Sequence, residues 1–283
     1  MPDHPVTAED SAAIDRINEL LAGQAPLGVA FSGGVDSSVL LALAARTLGH
    51  NQVLAILGVS PSLAADERTA AHMVATHIGV QLVEVATYEG DRPEYRRNSP
   101  DRCFHCKDEL FSRISDEVVA AHGLRAIAYG ENADDAVRLD RPGSRAAASH
   151  RVLRPLADAG LVKAAVRRIA RAYRLPCADK PAAPCLASRI PHYQTVDAVK
   201  LRQIETAEAA LRALGFDDSR VRHHGDIARI ELPLAELGRA VVSPARETIH
   251  RAVTGAGFRF VSLDIAGIQS GAFTLPLVTP RHG

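Results

Sequence analysis

The sequence has no tryptophan, two methionines and only 4% aromatic residues, and its 33 Lys+Arg balance its 33 Asp+Glu. So few aromatics exclude the stacking platforms on which proteins hold single-stranded nucleic acid. Zero net charge removes a broad electrostatic footprint for nucleic acid and leaves only local basic patches. No apolar run approaches the roughly 20 residues of a membrane span. The opening stretch "MPDHPVTAEDSAAIDRI" lacks the basic start and apolar centre of a signal peptide. A cytoplasmic protein without membrane partner is therefore expected. Cysteine is also scarce: Cys103, Cys106, Cys177 and Cys185 are the four. In a reducing compartment such a set points to metal, cluster or catalysis rather than to structural disulfides.

What is present is ordinary for a globular protein, with 47% hydrophobic and 23% charged residues in 283 positions. That length suits two modest domains. Ile14, Ile17, Leu20 and Leu21 predict a lead-in helix over 12–22. "LGVAF" (27–31), "VLAILGV" (53–59), "VQLVEVA" (80–86) and "RAIAYG" (125–130) read as strands. Helical spacing over 36–48, 66–79 and 104–121 separates them. Alternating strands and helices, with continuously apolar strands, predict an α/β fold with a parallel sheet covered on both faces. Residues 131–160 read as loop-rich, 163–176 as a basic helix, and the four-proline stretch 177–192 as an irregular loop of the kind that carries function. From 195 onward the pattern changes to a long helix (196–214), two short strands around His-Gly-Asp (220–232), a helix near 244–254 and a strand over 258–265. We expect a first domain over 1–194 and a smaller α+β domain over 195–283.

The chemistry begins at "VAFSGGVDSSVL" (29–40). A buried strand ends in Ser32-Gly33-Gly34 and a helix starts at once. The glycines let the backbone turn and expose its amides, while the helix start adds unpaired N–H groups and a positive dipole end. Ser32, Ser37 and Ser38 add hydroxyls, and together these make a phosphate or pyrophosphate nest. The loop is neither a Walker A sequence nor GxGxxG, since no Gly-Lys-Ser/Thr closes it. Cys103 and Cys106, three apart in "DRCFHCKDELF", share a face if that segment is helical. Such a pair serves as a redox couple, half a zinc site or two ligands of an iron–sulfur cluster. Cys185 in "PAAPCLASRIPH" would supply a third ligand, leaving one iron of a [4Fe–4S] cluster open; Cys177 reads as a bystander. Arg220 and Arg222 alternate on one strand, so both can grip one anion.

The SGGVDSS loop resembles that of the N-type ATP pyrophosphatases. The series SGGVDSS, "NSPDRCFHCK", "DRPG", "KPAAPCLASRIPH" and "GFDDSRVRHHGDIARIEL" narrows the likeness to the LarE family of ATP-dependent sulfur transferases, over about residues 27–270. The resemblance implies a PP-loop ATP pyrophosphatase domain with a cysteine loop, and a small α+β domain for substrate binding and oligomerisation. Ser32, Gly33, Gly34, Asp36, Ser37 and Ser38 would cradle pyrophosphate, Asp36 helping to hold Mg2+. In "GENADD" (130–135), Glu131, Asn132 and Asp134 would face nucleotide and metal. The implied substrate is pyridinium-3,5-biscarboxylic acid mononucleotide, whose carboxylates are adenylated by ATP and converted to thiocarboxylates for a nickel-pincer cofactor. Cys103, Cys106 and Cys185 match the three-cysteine subgroup, in which a [4Fe–4S] cluster delivers sulfur; in the other subgroup a cysteine at the Cys185 position is itself consumed. Ser188 and Arg189 would close the cysteine loop, Glu208 would stand near the reaction, and Arg220 and Arg222 would bind the substrate phosphate. Gln269 departs from the pattern, where the family usually has Arg before Ser-Gly. A homo-oligomer, hexameric by resemblance, is implied. A PP-loop tRNA thiolase shares the loop and the cysteines but needs an RNA-binding surface that the neutral composition does not offer.

Overall fold

A computed structural model describes residues 6–137, 143–269 and 273. The chain divides into two compact units, one of Met1–Glu89 with Cys103–Ala183, the other of Gly90–Arg102 with Pro184–Gly283. This division differs from a single break at 194/195. Segment 90–102 groups with the later chain because Asn98 and Arg102 bond the backbone carbonyls of Ala187, Ile190 and Pro191.

The first unit is a parallel four-stranded sheet of β1 (Leu27–Ala30), β2 (Val53–Val59), β3 (Gln81–Ala86) and β4 (Ala126–Tyr129), in the order β3-β2-β1-β4. All pairs are parallel, with Leu27 opposite Val53 on one side and Ala126 on the other. The apolar residues of β1 and β2 are buried, whereas β3 lies at the edge and shows Gln81 and Glu84. Polar side chains of this kind protect an open edge from further pairing. Helices α1 (Ala8–Leu21), α2 (Val35–Leu48) and α3 (Ala65–Ile78) bury Ile17, Leu21, Val39, Leu40, Leu43, Val74 and Ala75 in one core layer. Helix α4 (Arg102–Arg113), continued by a π-turn over Ile114–Val119, contributes Phe111 and Ile114 to a second layer with Ile56 and Tyr129. Helix α5 (Lys163–Ala172) buries Val166 and Ile169 against the first layer. The stretch 131–160, read as loop, contains short helical turns at Ala133–Ala136, Gly143–Ser149 and Pro155–Asp158. They are too short for a periodic signal.

Because β2 and β3 lie to one side of β1 and β4 to the other, the chain reverses direction at β1/β4. In parallel sheets the crevice outside the strands' carboxyl ends at such a switch point is where ligands bind. The glycine loop follows β1 and the 130–135 loop follows β4.

The second unit holds α6 (Ala198–Ala213), the hairpin β5 (Arg220–His224) and β6 (Ile227–Glu231), α7 (Ala245–Gly255) and β7 (Phe260–Leu263). Gly225, with φ +65°, makes the two-residue hairpin turn. The sheet order is β5-β6-β7, antiparallel then parallel, and its core gathers Ala207, Leu211, Phe216, Val221, Ile230 and Val253. Among the described residues no helix is long and apolar enough to cross a membrane.

Candidate active site

Gly33 turns the loop at φ +71°, and a Cβ there would lie 2.8 Å from the Ala71 Cα, so only glycine fits. Gly34 has an ordinary φ of −74° and caps α2 without a side chain, so the tight turn is the work of Gly33 alone. The hydroxyls of Ser37 and Ser38 donate to the Gly34 carbonyl at 3.0 and 2.8 Å, and Ser37 Oγ also accepts from the Ser32 amide at 3.3 Å. Ser32 Oγ in turn accepts from the Gly34 amide at 3.4 Å. Buried Ser37 and Ser38 thus brace the loop, while the first-turn amides of α2 lack intrahelical acceptors and form the anion-facing surface. Gly130, at the end of β4, packs so closely that a Cβ would meet the Ser37 amide nitrogen at 2.6 Å.

Asp36 joins three elements. One carboxylate oxygen accepts from the Asn132 side chain at 3.2 Å and the other pairs with Lys163 Nζ at 2.5 Å. Asn132 is buried and caps the turn at Ala133–Ala136 through the Asp135 amide. Asp134 accepts from the Lys163 amide at 2.8 Å and so caps α5. Glu131 is buried in a network with Ser144, Arg154 and Tyr129. Burial pushes its carboxyl up, but the bonds from Ser144 and Tyr129 and the charges of Lys107 and Arg154 outweigh this and hold it below the usual range. Glu131 is therefore part of the scaffold under the loop. Lys163 was not singled out from the sequence. A signal existed: a lysine as the first residue of a helix opposes the helix dipole, and no acidic residue occupies that first turn.

All four thiols are free: Cys103 and Cys185 are exposed, Cys106 is half-buried and Cys177 is buried. Cys103 and Cys106 stand one turn apart at the start of α4 and so share a face. Cys177 lies in the first core layer against Ser38, and burial pushes its thiol up, keeping it protonated and inert. Among the described residues no group of three or more His, Cys, Asp or Glu side chains stands preassembled for a metal ion.

In the second unit, Cys185 precedes a 3-10 turn, Leu186–Arg189. Arg189 forks onto Glu208 at 2.9 and 3.2 Å and donates to the Pro184 carbonyl at 2.7 Å and Ser188 Oγ at 2.9 Å. Glu208 also accepts from the Val221 amide at 2.9 Å, tying α6 to β5. Its position is that of a buried brace for Arg189. Arg222 forks onto Glu231 at 3.0 and 2.7 Å and reaches the Ser188 carbonyl at 3.0 Å. Glu231, fully buried, was missed in the sequence because a fork partner on the neighbouring strand leaves no local motif. Arg220 and Arg222 both donate to one acceptor, the Gln269 carbonyl oxygen, at 3.1 and 2.9 Å. Burial and the like charges of Arg189 and Arg222 push the Arg220 guanidinium pKa down. This cluster of guanidiniums would be relieved by an anion. Of the "DRPG" and "AGIQSGAFT" stretches, residues 140–142, 270–272 and 274 lie outside the described residues.

The asparagine synthase family model matches residues 14–118, which include the glycine loop and α4. An uncharacterized protein of Synechocystis is 39% identical over 243 residues, 86% of this chain and 90% of its own. The pyridinium-3,5-bisthiocarboxylic acid mononucleotide synthase of Lactiplantibacillus plantarum is 34% identical over 243 residues, 86% of this chain and 87% of its own. The chain belongs to the LarE family. As a LarE-family protein it is an ATP-dependent, sulfur-transferring enzyme of the PP-loop class. An uncharacterized protein of Methanocaldococcus jannaschii, 25% identical over 237 residues, is a more distant relative of this LarE-family chain.

Proposed function

We propose that the enzyme converts the carboxylates of pyridinium-3,5-biscarboxylic acid mononucleotide to thiocarboxylates, the activity by which its L. plantarum relative is named. The observation that carries this reading is the convergence of Arg220 and Arg222 on a single oxygen, in a unit that does not contain the glycine loop. A second anion-binding centre of this kind suits a substrate that brings its own phosphate in addition to ATP. The second unit is thus assigned to substrate binding and oligomerisation.

The amides at the start of α2, turned by Gly33 and braced by Ser32, Ser37 and Ser38, hold the pyrophosphate end of ATP. Asp36 and Asn132 are the residues to hold Mg2+, and Lys163 adds a cation beside the phosphates. A substrate carboxylate oxygen attacks the α-phosphorus, the new P–O bond replaces the bond to pyrophosphate, and an acyl-adenylate results. A sulfur nucleophile then attacks the acyl carbon, the C–O bond breaks and AMP departs. A second round gives the bis-thiocarboxylate.

Cys103, Cys106 and Cys185 are free thiols in polar settings, two of them on one helix face, and this donor set fits three ligands of a [4Fe–4S] cluster. Such a cluster, when bound, supplies sulfide sulfur at an iron that lacks a protein ligand. The same proposal includes a cytoplasmic homo-oligomer that binds no nucleic acid. Exposed Cys185 at the head of its 3-10 turn also supports the second reading, in which it is consumed as donor.

Iron and acid-labile sulfide measured on protein purified without oxygen test the sulfur source. About four irons, lost in Cys103→Ala, are expected. No iron after reconstitution, with Cys185 losing the mass of a sulfur after one turnover, would replace the cluster by the sacrificial route. Absence of thiocarboxylate product with ATP, Mg2+ and a sulfur source would overturn the function itself.

A further inference from the structure

Two non-glycine residues of the second unit adopt left-handed backbone and are bonded to each other. Asn98 has φ +57° and Tyr193 φ +65°, and the Tyr193 amide donates to the Asn98 carbonyl at 3.0 Å. Asparagine tolerates this region, but tyrosine does so only when its surroundings compel it. Asn98 is completely buried. Its side-chain amide donates to the Ile190 carbonyl at 3.2 Å and the Pro191 carbonyl at 2.8 Å. Its side-chain oxygen accepts from Arg102 Nη1 at 2.5 Å, and the same nitrogen donates to the Ala187 carbonyl at 2.9 Å. His192 Nδ1 lies 2.9 Å from the Asn98 carbonyl, so this nitrogen carries the proton. The Val196 amide bonds the Arg96 carbonyl at 2.9 Å.

These bonds all reach the segment that begins at Cys185. The turn Leu186–Arg189 is short and set among prolines, and its carbonyls are met by side chains from 98–102 rather than by a regular neighbour. Water would satisfy the same carbonyls on an open loop. Burying a guanidinium and two left-handed residues to do it is costly, and strain of this kind persists where geometry matters.

We propose that Asn98 and Arg102 are positioning residues for sulfur delivery, a clamp that fixes the Cys185–Ser188–Arg189 turn through the Ala187, Ile190 and Pro191 carbonyls. This rests on the reading that Cys185 takes part in the sulfur step. Neither residue touches the reacting atoms in this account.

The test is the ratio of thiocarboxylate formed to pyrophosphate released, measured anaerobically in single turnover with ATP, Mg2+ and sulfide. Asn98→Gly removes the clamp while leaving the left-handed backbone free of strain, so folding is not the variable. Its ratio should fall by about 10- to 100-fold, the usual effect of misplacing a reacting group by an ångström. Arg102→Lys keeps a cation but cannot fork between Asn98 and Ala187, and should give an intermediate ratio. A ratio unchanged in Asn98→Gly, or both steps slowed equally, would reduce the clamp to a packing role and overturn the proposal. A wild-type enzyme that forms no thiocarboxylate would instead sink the functional reading beneath it.

Discussion

Removing Arg220 and removing Arg222 should have opposite signatures, although the two side chains share an acceptor. Arg222 is one half of a fully buried pair, at 3% exposure against 0% for Glu231. Arg222→Ala leaves the Glu231 carboxylate in the interior with the less well placed Arg229, 3.4 Å away. Losing one partner of a buried pair costs about 3–5 kcal/mol. At about 2–4 °C per kcal/mol for a chain of this size class, the melting temperature should fall by roughly 6–20 °C. Arg220 is different, because burial and two like charges already oppose its own charge. Arg220→Ala relieves that opposition and should melt well above Arg222→Ala. Its loss should appear in binding instead. A charged hydrogen bond to phosphate contributes about 1.5–3 kcal/mol, or about 10- to 150-fold in KM for the mononucleotide. The assay is KM for the mononucleotide and for the riboside lacking its phosphate, alongside thermal melts. If Arg220→Ala weakens the riboside equally, or melts as low as Arg222→Ala, the assignment of Arg220 to the substrate phosphate is refuted.

Gly33→Ala should abolish ATP binding in calorimetry and cost about 1–3 kcal/mol of stability, since its φ is +71° and its new methyl would strike Ala71; ATP affinity within twofold of wild type would contradict the loop reading. Lys163→Met should change stability by no more than about 1 kcal/mol, because the ion pair with Asp36 is partly exposed, yet raise KM for ATP in a pyrophosphate-release assay. Burial holds His192, His223 and His224 below the ordinary imidazole pKa. The unfolded chain therefore takes up protons first: stability is fully present above about pH 6.5 and is lost as pH falls below it. Melts between pH 5 and 8 check this, and His223→Gln should flatten the acid limb.

The four parallel strands were legible because each is a continuous apolar run between helical periods, and strands buried on both faces carry that signal unaided. The glycine loop was legible for a related reason: a left-handed turn beside a close packing contact needs glycine, which leaves a mark in sequence. The partners of the functional side chains were not. Glu231 lies nine residues from Arg222, on the adjacent strand, and Glu208 lies nineteen from Arg189, on a helix. Neither separation corresponds to a helical or strand period, so no local pattern announces the pairing. Residues 90–102 were not assigned to the second unit for the same reason, since their bonds run to carbonyls about ninety residues away.

Several residues that the sequence left unmarked break a local rule. Lys163 opens a helix with the wrong charge for its dipole. Tyr193 takes a backbone region that tyrosine avoids, and Arg220 is buried beside two other guanidiniums. Each violation has a cost that the fold must meet elsewhere, and natural chains tolerate such costs mainly where a site needs them. The three violations fall beside the phosphate loop, in the cysteine turn and at the arginine pair, which are the three places the chemistry requires. The contrast with Cys177 supports this. It obeys every packing rule, sits protonated in an apolar core and has no part in the reaction. Cys177→Ala should therefore leave the thiocarboxylate yield per AMP unchanged and cost only the stability of a small buried side chain. A fall in that yield would show that a thiol beneath the loop takes part after all.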